Sequence, residues 1–237
     1  MLRIEHLTRE YGDNQLIEDL SLHIQPGEIY GLIGNNGSGK TTTLKCCSGV
    51  RQARSGEIFV NGISMQKKPL PCKAQIAYVP ATPDLYVFMT GVQFLNFVGD
   101  IYNISTKDRQ TQIDHYADLF ELTDVLSQPI SLYSNGTRKK LLIVSALMHD
   151  PKLLIMDEPF MSLDPKAVLQ LQTQMRALCD RGGSVFVSTH VLEFAENLCD
   201  KVAIMQNGKL VRAGIVNEVK GDASLQTVLL ELEDIHD

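Results

Sequence analysis

The chain has 237 residues, 44% of them hydrophobic and 21% charged, which is enough for one α/β domain whose core needs no disulfides. A net charge of −6 argues against a general nucleic-acid or anionic-membrane binder. No stretch approaches the roughly 18 apolar residues of a membrane span, and the opening Met1-Leu2-Arg3-Ile4-Glu5 carries an early acid rather than the apolar core of a signal peptide.

Leu2 to Leu7, Leu20 to Ile24 and Ile58 to Val60 alternate apolar with polar residues, which predicts a small antiparallel sheet near the N-terminus. Other runs are almost wholly apolar: Ile29 to Ile33, Ile76 to Val79, Leu153 to Met156, Val185 to Val187 and Val202 to Met205. Such runs fit strands covered on both faces, as in a mostly parallel sheet. Between Leu85 and Met148 that pattern gives way to helical spacing, in Phe94, Leu95, Val98, Ile101 and Tyr102 and again in Ile113, Tyr116, Ala117 and Phe120. This stretch reads as an inserted helical subdomain, with loop chemistry at Ala81-Thr82-Pro83-Asp84 marking its start. Cys46, Cys47, Cys72, Cys179 and Cys199 lack zinc-type spacing and read as reduced, buried thiols.

Gly34-Asn35-Asn36-Gly37-Ser38-Gly39-Lys40-Thr41-Thr42 satisfies the phosphate-loop pattern, directly after one predicted strand and before a helical segment. Glycines let successive N–H groups turn inward on a polyphosphate, and the following helix adds its positive end. Lys40 would reach the β- and γ-phosphates, Thr41 would offer a hydroxyl to Mg²⁺, and Thr42 would add a phosphate contact. The apolar run Leu153 to Met156 ends in Asp157-Glu158. Ligands of parallel sheets bind where strands end, so Asp157 is placed to hold Mg²⁺ and Glu158 to polarise an attacking water.

Taken with these motifs, further residues make the chain resemble the ATP-binding cassette (ABC) family over nearly its whole length. Tyr11 falls where that family stacks an aromatic ring on adenine. Tyr133-Ser134-Asn135-Gly136-Thr137 is similar to its signature loop, Ser162-Leu163-Asp164 follows the paired acids, and His190 follows the strand at Val185 to Val187. The resemblance implies a single ABC ATPase domain over residues 1–237. Residues 1–84 and 149–237 would form the phosphate-loop NTPase core with its antiparallel subdomain, and residues 85–148 the helical subdomain. It further implies that two cassettes, expected to be identical copies, sandwich ATP. Ser134 and Gly136 would then complete the opposite site, with Asp164 serving either as a helix cap or across the dimer. His190 would contact the γ-phosphate.

Two departures stand out. The family's usual glutamine after the strand at Ile76 to Val79 is Ala81 here, and Tyr133, Asn135 and Thr137 replace the usual signature residues. The segment Tyr78 to Tyr86 and the region Ser224 to Leu232 resemble exporter cassettes encoded apart from their permease. The expected protein is therefore an ATP-hydrolysing subunit on the cytoplasmic face of the cell membrane, driving a membrane-spanning permease and binding no nucleic acid. Tyr86, Phe88 and Met89 are read either as permease contacts or as core. A regulatory cassette with weak turnover and a soluble non-transport cassette are the competing readings.

Overall fold

The computed structural model describes residues 1–11 and 14–234. Two sheets and a set of helices build it. Strands β1 (Leu2–Tyr11), β2 (Asn14–Ile24), β4 (Ser55–Val60) and β5 (Ile63–Ser64) form an antiparallel sheet in the order β2-β1-β4-β5. Strands β3 (Ile29–Ile33), β6 (Ile76–Val79), β7 (Leu153–Asp157), β8 (Ser184–Thr189), β9 (Lys201–Gln206) and β10 (Lys209–Ile215) form the second sheet, in the order β10-β9-β3-β8-β7-β6. Every neighbouring pair in it is parallel except β9 with β10. The antiparallel sheet near the N-terminus and the mostly parallel main sheet are those expected from the two hydrophobic patterns.

Helix α1 (Lys40–Cys47) lies between the sheets, with Leu44, Cys46 and Cys47 buried in a core shared with Leu2, Ile4, Ile155 and Phe186. The main sheet sends alternate residues to opposite sides. Tyr30, Leu32, Leu153 and Ile155 face α1, whereas Ile29, Ile33, Leu154 and Met156 face the second core. Both faces are covered, which is why these strands read as continuous apolar runs. All five cysteines are free and buried.

Helix α2 (Pro69–Lys73) precedes β6. Residues 91–147 supply α3 (Gly91–Ile101), α4 (Thr106–Leu119), two single-turn helices and α5 (Asn135–Leu147). Thr90 and Gln93 form a reciprocal capping box at the start of α3, and Ser105 caps α4. After β7 come α6 (Pro165–Asp180), α7 (Leu192–Leu198), α8 (Val216–Lys220) and α9 (Leu225–Asp234). No helix among the described residues is long and apolar enough to cross a membrane.

Just after α5, His149 stacks on Tyr102 with ring centroids 3.6 Å apart and planes 10° from parallel. Burial pushes the His149 pKa down to about 4, below its ordinary 6.5. The unfolded chain therefore binds a proton that the folded chain refuses between these values, and stability contributed by neutral His149 is lost as pH falls through that window. The loss should reach about 2 to 3 kcal/mol by pH 4. His149→Phe keeps a ring on Tyr102 and should flatten the slope of urea-unfolding stability between pH 4 and 6.5. An unchanged slope would contradict this assignment.

Candidate functional site

Because β6, β7, β8 and β3 run parallel as neighbours, their C-terminal ends line one edge of the sheet. Residues far apart in sequence meet there. The phosphate loop leaves β3, Asp157 ends β7 with Glu158 directly after it, His190 follows β8 and Ala81 lies just past β6.

The loop is built by its glycines. Gly34, Gly37 and Gly39 have φ of 146°, 84° and 108°, values that side chains strongly disfavour. A Cβ on Gly39 would sit 2.5 Å from the Leu16 carbonyl oxygen, so the loop also packs closely against β2. No side chain caps α1 at Gly39, and its first turn contains no acid. The first N–H groups of a helix have no intrahelical partner, so this end offers donors and a positive dipole to an anion. An open cleft runs past Gly37, Gly39, Lys40, Thr41, Thr42 and Glu158.

Lys40 is buried and its Nζ donates to the carbonyls of Gly34 at 2.6 Å and Asn35 at 2.9 Å. Burial lowers its pKa, while Glu158 and then Asp157 pull the other way. The loop thus holds its own cation until a stronger acceptor arrives. Across the edge, Thr41 Oγ1 donates to Asp157 Oδ2 at 2.8 Å and Ser188 Oγ donates to Asp157 Oδ1 at 2.5 Å. Asp157 is 1% exposed, and these hydroxyls satisfy a carboxylate that would otherwise be costly to bury. The Glu158 N–H donates to both the carbonyl and the hydroxyl of Ser188 at 3.2 Å. Glu158 has φ of 44°, a left-handed turn that sends its side chain away from Asp157 and towards the cleft. His190 Nδ1 lies 2.9 Å from Glu158 Oε2.

Hard oxygen donors at Thr41 and Asp157 suit Mg²⁺, which retains several waters and takes its remaining ligands from phosphates. Among the described residues no cluster of three or more His, Cys, Asp or Glu could hold a metal by itself.

The structure brings Lys40, Thr41, Asp157, Glu158 and His190 together at one edge. Ser134, Gly136 and Asp164 do not line the cleft. Ser134 caps α5 by accepting from Thr137 N at 3.1 Å. A Cβ on Gly136 would lie 2.6 Å from the Ser162 carbonyl oxygen, so only glycine lets α5 approach that turn. Asp164 caps α6 by accepting from Ala167 N at 2.9 Å and also pairs with Lys140 at 2.6 Å. Both bonds hold its carboxyl below the usual range, the Lys140 contact most strongly. The side chain of Tyr11 lies outside the described residues. Tyr86 and Phe88 are exposed, whereas Met89 packs against the core.

Two residues of this edge escaped the sequence reading. Ser188 bonds the Asp157 carboxylate and the Glu158 N–H, and its only sequence signal is a position two before His190 on an adjacent strand. Lys139 is 1% exposed beneath the same edge.

A family profile described as ABC transporter matches residues 17–161. The chain is 32% identical to the ABC-type transporter ATP-binding protein EcsA of Bacillus subtilis (strain 168), over 98% of this chain and 96% of that protein. It is 31% identical to the linearmycin resistance ATP-binding protein LnrL of the same organism, over 95% of this chain and 74% of that protein. A solved structure described as the ATP binding subunit of an ABC transporter superposes with a TM-score of 0.93 at 32% identity, covering 98% of this chain and 99% of that one.

Proposed function

The chain belongs to the ABC transporter family of ATP-binding proteins, and on that footing we propose a working cycle in which two copies close around ATP, hydrolyse it and drive export through a separate membrane-spanning permease. The observation that carries this reading is the run of contacts from Thr41 through Asp157 and Ser188 to Glu158 and His190, beside an uncapped glycine loop.

In the proposed cycle the phosphates lie along residues 34–42, and Asn35, Asn36, Gly37 and Ser38 supply backbone to the cradle. Lys40 exchanges the Gly34 and Asn35 carbonyls for phosphate oxygens. Thr41 and Asp157 would hold Mg²⁺, whose chemistry here is to offset phosphate charge. Glu158 takes the proton of an attacking water, and His190 orients Glu158 and contacts the terminal phosphate. Tyr11 would meet the adenine.

The helix N-terminus at Ser134 has exposed Ser134 and Asn135, no acid in its first turn, and does not reach its own chain's cleft. Those features suit an anion presented by a second copy, with Gly136 allowing close approach. Asp164, fixed by Lys140 and its own helix, would hold the turn beside that contact. Exposed Tyr86 and Phe88 are the proposed permease contacts, which would keep the subunit on the cytoplasmic face of the membrane. Export is supported by the exporter-like segments after β6 and by a relative named for linearmycin resistance. A cassette that only senses ATP would have no use for the Glu158–His190 pair. Magnesium-dependent phosphate release from ATP by the purified chain tests the reading. Release absent at every protein concentration would overturn it.

A further inference from the structure

Lys139 lies one turn into α5, yet it is among the largest fully buried side chains of the protein. A lysine normally snorkels to water, and burying its ammonium costs several kcal/mol unless partners are supplied. Here Nζ donates to the carbonyls of Pro80 at 2.8 Å, Ala81 at 3.1 Å and Asp157 at 3.4 Å. These acceptors use all three of its donors. They also belong to two different strand ends, β6 and β7, while the lysine itself belongs to the helical subdomain.

We propose that Lys139 is a positioning residue for hydrolysis, tying α5 to the exit of β6 and clamping the Asp157–Glu158 peptide from its carbonyl side. The opposite side of that peptide is already held, because the Glu158 N–H donates to Ser188. With both polar groups of one peptide unit engaged, the plane cannot rotate, and the direction in which Glu158 leaves the strand is set. That matters because Glu158 sits at φ of 44°, a strained conformation that persists only when its surroundings impose it. Ala81 has no polar side-chain atom to make such a link, so the connection between β6 and the acids of β7 runs through the backbone and this lysine. Burial brings the Lys139 pKa down to about 8, with Asp157 and then Glu158 opposing the fall.

A lysine serving packing alone and one that positions Glu158 differ in their kinetics. Lys139→Met keeps the length and loses every donor, whereas Lys139→Gln keeps a neutral donor. The proposal expects Lys139→Met to lower kcat for ATP by about tenfold or more with KM within about threefold, per folded molecule, and Lys139→Gln to fall between it and wild type. Wild-type kcat in Lys139→Met, a loss confined to KM, or a loss that only tracks the unfolded fraction would overturn it. Should Lys139→Met not fold, Lys139→Gln decides alone. A kcat lowered about three- to tenfold at unchanged KM supports the clamp, and wild-type kcat overturns it. The inference rests on Glu158 acting as the base. A wild-type chain without hydrolysis sinks that reading, whereas an active wild type with an equally active Lys139→Met sinks only this one.

Discussion

Glu158→Gln should lower magnesium-dependent ATP hydrolysis by about 10²- to 10⁴-fold while leaving ATP affinity within a few-fold of wild type. The substitution is nearly isosteric, and an amide oxygen can still face His190, which lies 2.9 Å from the carboxylate. What disappears is the group able to take a proton from water. Binding relies instead on the glycine loop, Lys40 and Thr41, none of which is touched. Two copies closed on ATP would then lack the step that separates them, because loss of the terminal phosphate removes the attraction across the interface. Single-turnover phosphate release and sedimentation in ATP with magnesium check both halves. Wild-type hydrolysis in the variant would remove Glu158 from the mechanism, and a variant that stays monomeric with ATP bound would remove the closed pair.

Gly34→Ala should be the most damaging change in the phosphate loop. Gly34 has φ of 146°, and an added Cβ would fall well inside the van der Waals envelope of the Met205 carbonyl oxygen, with Ser38 Oγ 3.0 Å away. The obstacle is backbone of the neighbouring strand β9, which cannot swing aside as a flexible side chain would. Strain and overpacking together should cost about 3 kcal/mol or more. For a chain of this size that lowers Tm by roughly 6 to 12 °C. ATP affinity should fall as well, since the loop must shift away from β9. Gly37→Ala is the matched control. Gly37 also has positive φ, at 84°, but a Cβ there meets nothing within 4 Å, so the strain alone should cost about 1 kcal/mol. Thermal melts showing equal losses for both variants would mean that the approach to Met205 is not what Gly34 serves.

The parts of the site that lie within one stretch of chain were legible in the sequence. The phosphate loop is a contiguous pattern, and the acids of β7 follow an apolar strand that announces its own end. The two sheets were separable because one alternates its apolar residues and the other, covered on both faces, does not. Contacts made across strands were not legible. Ser188 meets Asp157 only because β7 and β8 are in register, 31 residues apart in sequence. Lys139 looks like a solvent-facing lysine beside Arg138 and Lys140. A clue lay in its spacing, since it falls four residues before the fully buried Ile143 and so shares that helix face. Strand β10 was also missed, although Asn207-Gly208 between two strand-like runs is a strong hairpin signal. Both residues adopt positive φ there, at 45° and 82°. The apolar run Val202 to Met205 marks β9, whereas β10, which lacks a buried residue, mixes polar and apolar residues without such a run. Of Tyr86, Phe88 and Met89, read either as permease contacts or as core, Met89 takes the core alternative, because the turn from Tyr86 to Met89 sends it inward.

Calorimetric titration of ATP into the purified chain, with and without magnesium and with Lys40→Met alongside, addresses the grip on the nucleotide itself. Lys40 now satisfies its charge on the Gly34 and Asn35 carbonyls, and a bound polyphosphate is the acceptor those carbonyls stand in for. One ATP per chain, tighter with magnesium and weakened about 100-fold or more by Lys40→Met, is the predicted result. Equal affinity in both proteins, or an affinity indifferent to magnesium, would contradict it.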